Sequence, residues 1–361
     1  MASRWGVQTF LFCLFFWVWG WAFRGGSAGE AVGEAAAPSS QAAVSAQAAD
    51  GQKALTYSLF LDPGWEKASQ EKPLVISVPG MGSTGTPIEK VLELARKEGF
   101  ACGRFVFPHE PIQQTACRLA RALRDIRGKA PNRRVALVSY SLGGLIGRAV
   151  VEDPELDPGN VRALIMLCPP NHGSLLLQLL PWKDNDPNAH PPKPSLHLRS
   201  SPSKPTPTVQ NSPSKPFSEA DATRTGLAAV WADLRPGSAF LTRLNARPRN
   251  PKVRYTILLG DRAYLGPENR DSLSQWAAQL PRPSNNPPAK EPLGQLVGQL
   301  DELVHGRGDG AVAIVRGKLE GVQDVHIFHF SHVGVLRTEW GSPEVQRAQQ
   351  LILDRLRTCP P

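Results

Sequence analysis

The stretch Val135-Ala-Leu-Val-Ser139-Tyr-Ser141-Leu-Gly143-Gly144 joins a run of apolar β-formers to a helical pattern through Ser-x-Ser-x-Gly. A strand that enters a helix through so short a turn forces the central residue into a strained backbone conformation and lifts its side chain clear of the sheet. The residues two before and two after that centre must be small, because strand and helix close on them. Ser139 and Gly143 meet that demand. The stretch therefore reads as a nucleophile elbow with Ser141 at its tip. Short Ser/Gly strings arise easily by chance, so the reading rests on the strand-turn-helix setting, and a plain Ser-Gly turn ahead of a helix competes with it.

Around the elbow, β-type runs at 55–61, 74–78, 104–107, 135–140, 161–168, 253–259 and 324–330 alternate with helical patterns. Those patterns lie at 87–98, 114–127, 142–152, 343–356 and, in pieces, 218–245. Near-continuous Val/Ile/Leu strands separated by helices are buried on both faces, which predicts an α/β fold with a mostly parallel central sheet and helices on both faces. A Pro/Ser/Lys-rich insertion, about 183–217, follows the run 161–168, expected as the sixth strand of the fold, and holds two copies of Ser-Pro-Ser-Lys-Pro, and a second Pro-rich patch runs from 281 to 292. Neither can form a core, and a loop at the carboxyl end of a strand is either passive surface or a lid. The Leu-rich segment just before the insertion makes Leu176, Leu179 and Trp182 candidate substrate or lid contacts.

At the amino end Arg4 precedes an apolar run over 5–23 that is long enough to cross a bilayer, and Gly26-Ser27-Ala28 follows as a small-residue cleavage site. Residues 1–28 are expected to be a signal peptide or a retained membrane anchor. Residues 29–52, rich in Ala, Gly and Gln, are expected to be a flexible linker, and 53–361 the catalytic domain. The chain would then be exported, and either secreted or periplasmic, or held by its amino-terminal transmembrane helix. The 41 Lys and Arg residues outnumber 32 Asp and Glu, giving a net charge of +9. They are scattered without interleaved aromatics, which argues against a nucleic-acid partner and leaves an anionic membrane surface open. Oligomeric state is not legible.

A second glycine-rich turn, Pro79-Gly80-Met81-Gly82-Ser83, ends the apolar run Leu74-Val-Ile-Ser-Val78. Beside the elbow, the backbone N–H groups of Met81 and Leu142 can converge on the oxygen of a tetrahedral intermediate. A phosphate loop is disfavoured because no Gly-Lys-Ser/Thr follows. Among the histidines, His332 is the best base, since Ser331-His332-Val333-Gly334 is the turn after the last β-type run. His326 and His329 lie within that run and read as packing or surface residues. His172, in Pro169-Pro-Asn-His172-Gly-Ser174, ends another strand and is a candidate substrate contact. Two aspartates fit the acid. Asp261 directly follows the strand ending at 260, and Asp309 stands in Gly306-Arg-Gly-Asp309-Gly-Ala-Val312, whose glycines imply a special backbone. Asp309 is preferred and Asp261 kept as the alternative.

No histidine pair has metal-ligand spacing, so no catalytic metal and no cofactor are expected. Cys102, Cys117, Cys168 and Cys359 form an even set in a chain expected to be exported, which leaves one or two disulfides open, with Cys102 and Cys117 nearest in sequence.

Residues 73–340 resemble the serine lipase/esterase branch of the α/β-hydrolase superfamily, in particular bacterial triacylglycerol lipases and glycosylphosphatidylinositol deacylases. Pro79-Gly80-Met81-Gly82 is similar to the oxyanion turn, with Pro in place of His. Cys168-Pro-Pro-Asn-His172-Gly-Ser174 is similar to a Thr-Pro-His-x-Gly-Ser segment, and Asp233-Leu-Arg-Pro-Gly-Ser238-Ala-Phe-Leu241 to a stretch ahead of the seventh strand. Asp309-Gly-Ala-Val312 and Ser331-His332 match the acid and base segments, which favours Asp309 over Asp261. The resemblance implies acyl transfer by Ser141, His332 and Asp309 on a lipid or other long-acyl ester. It also fits a phospholipid or glycosylphosphatidylinositol deacylase or an acyltransferase. A catalytically silent, envelope-anchored binding module is the reading from another class, although each expected catalytic position carries the right residue type.

Overall fold

A computed structural model of the chain describes residues 42–45, 58–81, 86–178, 219–266, 300–336 and 339–361. The apolar run at the amino end, the Pro-rich insertion with Leu179 and Trp182, and the second Pro-rich patch lie outside the described residues. Among the described residues, no helix is long and apolar enough to cross a membrane. The chain divides into two units, Met1–Ala42 and Ala43–Pro361. Every element after the first strand belongs to the second.

The strands are β1 (Ala42–Ser45), β2 (Ser58–Leu61), β3 (Leu74–Val78), β4 (Cys102–Val106), β5 (Val135–Tyr140), β6 (Val161–Leu167), β7 (Arg254–Gly260) and β8 (Val325–Phe328). β1 falls within the stretch expected as linker. The sheet order is β1-β2-β4-β3-β5-β6-β7-β8. β2 pairs antiparallel with β4, and from β4 to β8 each neighbouring pair is parallel. This is the mostly parallel α/β sheet predicted from the apolar runs. β4 begins at Cys102, two residues before its sequence pattern suggests, because Cys102 pairs with Val75 of β3. The Cys102-Gly103 pair carries no β signature, yet a side chain on Gly103 would meet Leu61 Cδ2 at 2.5 Å and the Phe60 carbonyl at 3.1 Å.

The helices are α1 (Thr86–Lys97), α2 (Ile112–Lys129), α3 (Leu142–Val151), α4 (Glu219–Asp233), α5 (Ala239–Asn245), the single turn α6 (Ile314–Gly317) and α7 (Pro343–Arg357). Strand side chains alternate between two apolar layers, as the pleat requires. Leu74, Ile76, Val78, Val135 and Leu137 pack with Leu119 and Leu123 of α2 and Leu145 and Ile146 of α3. Val75, Ala136, Val138, Ala163 and Ile165 pack with Leu92 of α1 and Ile352 and Leu356 of α7. A sheet buried on both faces cannot shift register without exposing one layer, so the carboxyl ends of β3, β5, β6 and β7 are rigidly placed.

The four described cysteines are free thiols, with Cys102, Cys168 and Cys359 buried and Cys117 exposed on α2. The disulfides left open by the sequence, including Cys102 with Cys117, are therefore absent here. Burial pushes the Cys102 thiol up to about 12.

β8 is the thin edge of the sheet, with Ile327 48% exposed. Asp324, just before it, ties that edge down. Its carboxylate accepts from Arg355 Nε at 2.6 Å and Nη2 at 2.7 Å, and from Thr256 Oγ1 at 2.7 Å. His326 Nε2 lies 2.7 Å away. The Arg355 hydrogen bond, followed by those of Thr256 and His326, holds Asp324 well below the usual carboxylate range. A lowered folded-state pKa contributes stability above the ordinary carboxylate value of about 3.9, and that stability disappears as pH falls toward the folded value. Asp324→Asn is therefore expected to melt several degrees below the native chain at pH 7. Thermal unfolding at pH 7 and pH 2.5 tests this: the gap between the two proteins must shrink on the acid side.

Candidate active site

β5 ends at Tyr140 and α3 begins at Leu142, leaving Ser141 alone in the turn with φ 51 and ψ −121. Positive φ in a residue with a β-carbon costs of order 1–3 kcal/mol and persists only where packing dictates it. The packing is visible on both sides. A side chain on Gly143 would stand 2.2 Å from the Val78 carbonyl oxygen and 2.7 Å from that of Pro79, and one on Gly144 would meet Pro169 Cβ at 2.9 Å. On the sheet side, the buried Ser139 hydroxyl donates to the Ile165 carbonyl at 3.1 Å. The Gly80 turn leans on the elbow, since a side chain at Gly80 would lie 2.8 Å from Tyr140 Cδ1 and 3.2 Å from Ser141 Cβ. Met81 follows in that turn, and its sulfur accepts from Trp231 Nε1 of α4 at 3.2 Å. The Leu142 N–H is the first of α3 and has no acceptor within its own helix.

The turn after β8 brings His332 over the elbow. Its Nε2 lies 3.1 Å from Ser141 Oγ, and its Nδ1 lies 2.8 Å from Asp309 Oδ2. An ionised carboxylate only accepts, so Nδ1 carries the proton and Nε2 is free to accept from the serine hydroxyl. The His332 N–H donates to the Asp309 carbonyl at 2.8 Å, and Tyr140 Oη donates to the His332 carbonyl at 2.7 Å. Asp309 is 1% exposed. Its Oδ1 accepts from Ala311 N at 2.9 Å and Val312 N at 2.8 Å, a bend that the glycines of 306–310 permit. Gly310 has φ 100, and a side chain there would collide with the Tyr264 ring at 2.6 Å.

Asp261, the alternative acid, is engaged elsewhere. It lies 2.8 Å from His329 Nδ1 in an exposed pair, with His329 48% and Asp261 29% exposed. His172 is exposed, and its hydrogen bonds run to the Arg316 carbonyl and the Asn245 amide rather than to Ser141 or His332. Leu176 is half-buried in the 3-10 turn Leu175–Gln178, which roots the Leu-rich segment on the acid turn. There the Leu175 N–H donates to buried Glu302 Oε1 at 2.9 Å, and Ser174 Oγ donates to the Ala311 carbonyl at 2.7 Å.

Some contributors were not legible in the sequence. Arg148 of α3 is fully buried and pairs with Glu152 at 3.0 Å and 3.2 Å. It also donates to Asn171 at 3.1 Å and Asn245 at 3.0 Å, fastening the elbow helix to the loop after β6. An alternation of Arg and Glu four apart on a helix signals a surface pair far more often than a buried one. Cys168, at the end of β6, is the second residue besides Ser141 with positive φ and a β-carbon, at 53. Its sulfur lies with the carboxylate of Asp309 and a ring nitrogen of His332 within 4.8 Å of one another, the one group of metal-ligand types so spaced among the described residues. Hydrogen bonds already engage the Asp309 carboxylate, from His332 Nδ1, Ala311 N and Val312 N.

Residues 49–309 match the model of the alpha/beta hydrolase family, and the chain belongs to that family. The match stops at Asp309, short of His332. No curated protein matches the sequence. Among solved structures, the chain is similar to the lipase BlEst2 of Bacillus licheniformis. Its mature form is 17% identical with a TM-score of 0.49, over 82% of this chain and 97% of that one. Its propeptide form is 17% identical with a TM-score of 0.50, over 81% of this chain and 53%, about half, of that one. The phospholipase PlaB of Legionella pneumophila is 17% identical with a TM-score of 0.45, over 79% and 59%. At these identities the likeness concerns the fold.

Gly143→Ala places a methyl group against two backbone carbonyls that cannot move without disturbing β3. It is expected to cost about 1–3 kcal/mol of stability, the range of overpacking. Urea unfolding of the variant beside Gly128→Ala, where nothing lies within 4 Å of the added carbon, checks this.

Proposed function

We propose that the chain is a serine hydrolase of carboxylic esters. The observation that carries the proposal is the unbroken sequence of contacts from Asp309 Oδ2 to His332 Nδ1 at 2.8 Å and from His332 Nε2 to Ser141 Oγ at 3.1 Å. Ser141 attacks the ester carbonyl while His332 takes its proton, and Asp309 holds the imidazole in the Nδ1–H tautomer and stabilises the imidazolium. The N–H groups of Met81 and Leu142 hold the oxyanion. The proton then passes from His332 to the leaving alcohol, and water repeats the sequence on the acyl-serine. Asp261, engaged with exposed His329, takes no part.

The substrate class of this proposal is a lipid or other long-acyl ester. Its support is the Leu-rich segment at 175–180, whose start is fastened through Leu175 to Glu302 and through Ser174 to Ala311 of the acid turn, together with a sequence run at 5–23 whose apolar character suits export or anchoring at a membrane. In this reading Leu176, Leu179 and Trp182 are the candidate contacts of the acyl chain, and the protein acts outside the cell membrane, secreted, periplasmic or tethered.

The full chain, purified in detergent, is expected to hydrolyse p-nitrophenyl esters and to be labelled covalently by a fluorophosphonate. Ser141→Ala is expected to abolish labelling, and Ser141→Ala, His332→Ala and Asp309→Asn each to lower kcat/KM about a thousandfold or more. Asp261→Asn should stay within about threefold of native, as for a surface substitution away from the site. A preference for octanoate and longer over acetate supports the lipid assignment. Native, folded protein that neither turns over esters nor takes the label would leave a binding module as the reading.

A further inference from the structure

We infer that Tyr140, the residue before Ser141, is a positioning residue that ties the base to the nucleophile, its hydroxyl fixing the His332 backbone and its ring lying against the imidazole. The inference rests on the reading of Ser141, His332 and Asp309 as the catalytic set. His332 is carried by the turn after β8, an edge strand of four residues that are half-buried or exposed. Two strands, β6 and β7, stand between it and β5. A short edge strand paired on one side has few buried contacts and fixes the turn it carries less firmly than the inner strands fix theirs. The base therefore needs a tie to the elbow that does not run through β8.

Tyr140 supplies that tie. It closes β5 opposite Leu167 of β6, and its ring packs beside the glycine-rich turn, where a side chain on Gly80 would lie 2.8 Å from Cδ1 and 3.1 Å from Cε1. From this fixed place its Oη donates to the His332 carbonyl at 2.7 Å, a contact between residues 192 apart in sequence. The His332 N–H donates to the Asp309 carbonyl at 2.8 Å. The backbone is thus held on both sides of the base, once from the acid turn and once from the elbow. Ser331 is held separately, its N–H and hydroxyl donating to Glu339 at 3.0 Å and 2.8 Å. Glu339 refers the turn to the segment before α7, whereas Tyr140 refers it to the strand that bears the nucleophile. The phenol and imidazole centroids are 5.1 Å apart with their planes at 37°, so the tyrosine ring also closes one side on which the imidazole could swing. A displacement of about 1 Å in a catalytic group can cost a hundredfold in rate, which makes the aim of Nε2 at Ser141 Oγ the property this residue protects.

The test compares full-length native protein, Tyr140→Phe and Tyr140→Leu on p-nitrophenyl butyrate, with melting temperature and fluorophosphonate labelling rate in parallel. Tyr140→Phe removes one oxygen and keeps the ring, and Tyr140→Leu removes both contacts, so one folded variant of the two suffices. Tyr140→Phe is expected to lose about fivefold or more in kcat, the size of one hydrogen bond, and Tyr140→Leu more than that. KM should stay within about twofold of native in both, because the contact is made with the base and not with the substrate. Labelling by the fluorophosphonate, which also needs the aimed base, should slow in step with kcat, and the downfield proton of His332 Nδ1–H should exchange faster with solvent. A folded Tyr140→Phe with native kcat and a native Nδ1–H resonance would overturn the inference and leave Tyr140 as packing. So would a folded variant whose loss lies in KM, which would make the tyrosine a substrate contact. Native protein that takes no fluorophosphonate label overturns the serine-hydrolase reading itself, a result read without either variant.

Discussion

Two carbonyl oxygens, those of Val78 and Pro79, leave no space for a side chain on Gly143, the nearer lying 2.2 Å from where its first carbon would be. That contact joins the end of β3 to the start of α3, so the glycine-rich turn and the elbow move as one body. The positive φ of Ser141 follows from it, because a helix this close to the neighbouring strand end can be reached from β5 only by a sharp reversal. The parallel ladder through β3, β5, β6 and β7 supplies the rigidity, since strands covered by apolar layers on both faces cannot slide. Strain at Ser141 and Cys168, at the ends of adjacent strands, is held by the same ladder.

A second constraint is charge confined without water. Arg148 lies directly in the elbow helix with no exposed surface, and it is neutralised by Glu152, which Arg249 also approaches at 2.7 Å. Burial opposes the charged form of both partners, lowering the Arg148 pKa and raising that of Glu152. Such a pair gains little over apolar packing, yet removing one member strands the other. Its geometric consequence is more telling than its energy: the guanidinium fork also holds Asn171 and Asn245, so the loop from Cys168 to Ser174 is fixed relative to Ser141.

The strands and the elbow were legible because they depend on local rules. Apolar runs of four to eight residues separated by helical periods mark strands buried on both faces, and a small-x-Ser-x-Gly string between strand and helix marks the turn. Boundaries slipped where a residue was recruited by its neighbour, as at Cys102 beside Val75. The partners of the site were not legible for another reason. Cys168 offered the sequence only a buried thiol or half of a disulfide, and Trp231 only an apolar residue in a broken helical pattern. Their contacts with Asp309 and Met81 join segments 141 and 150 residues apart, a separation that no local pattern encodes.

The two aspartates show why burial outweighs chain position. Asp261 and Asp309 each lie 2.8 Å from a histidine, and both follow the carboxyl edge of the sheet. The Asp261–His329 pair stands in solvent, where water and salt screen the attraction and the ring has no serine to serve. Asp309 is buried beside Gly260, and its oxygens are fixed by backbone donors before His332 is counted. A carboxylate held in this way needs no reorganisation when an imidazolium forms beside it, which is the condition for electrostatic stabilisation of a transient charge. Position after a strand brings an acid near the site, and removal from water together with fixed donors makes its charge act on one ring nitrogen.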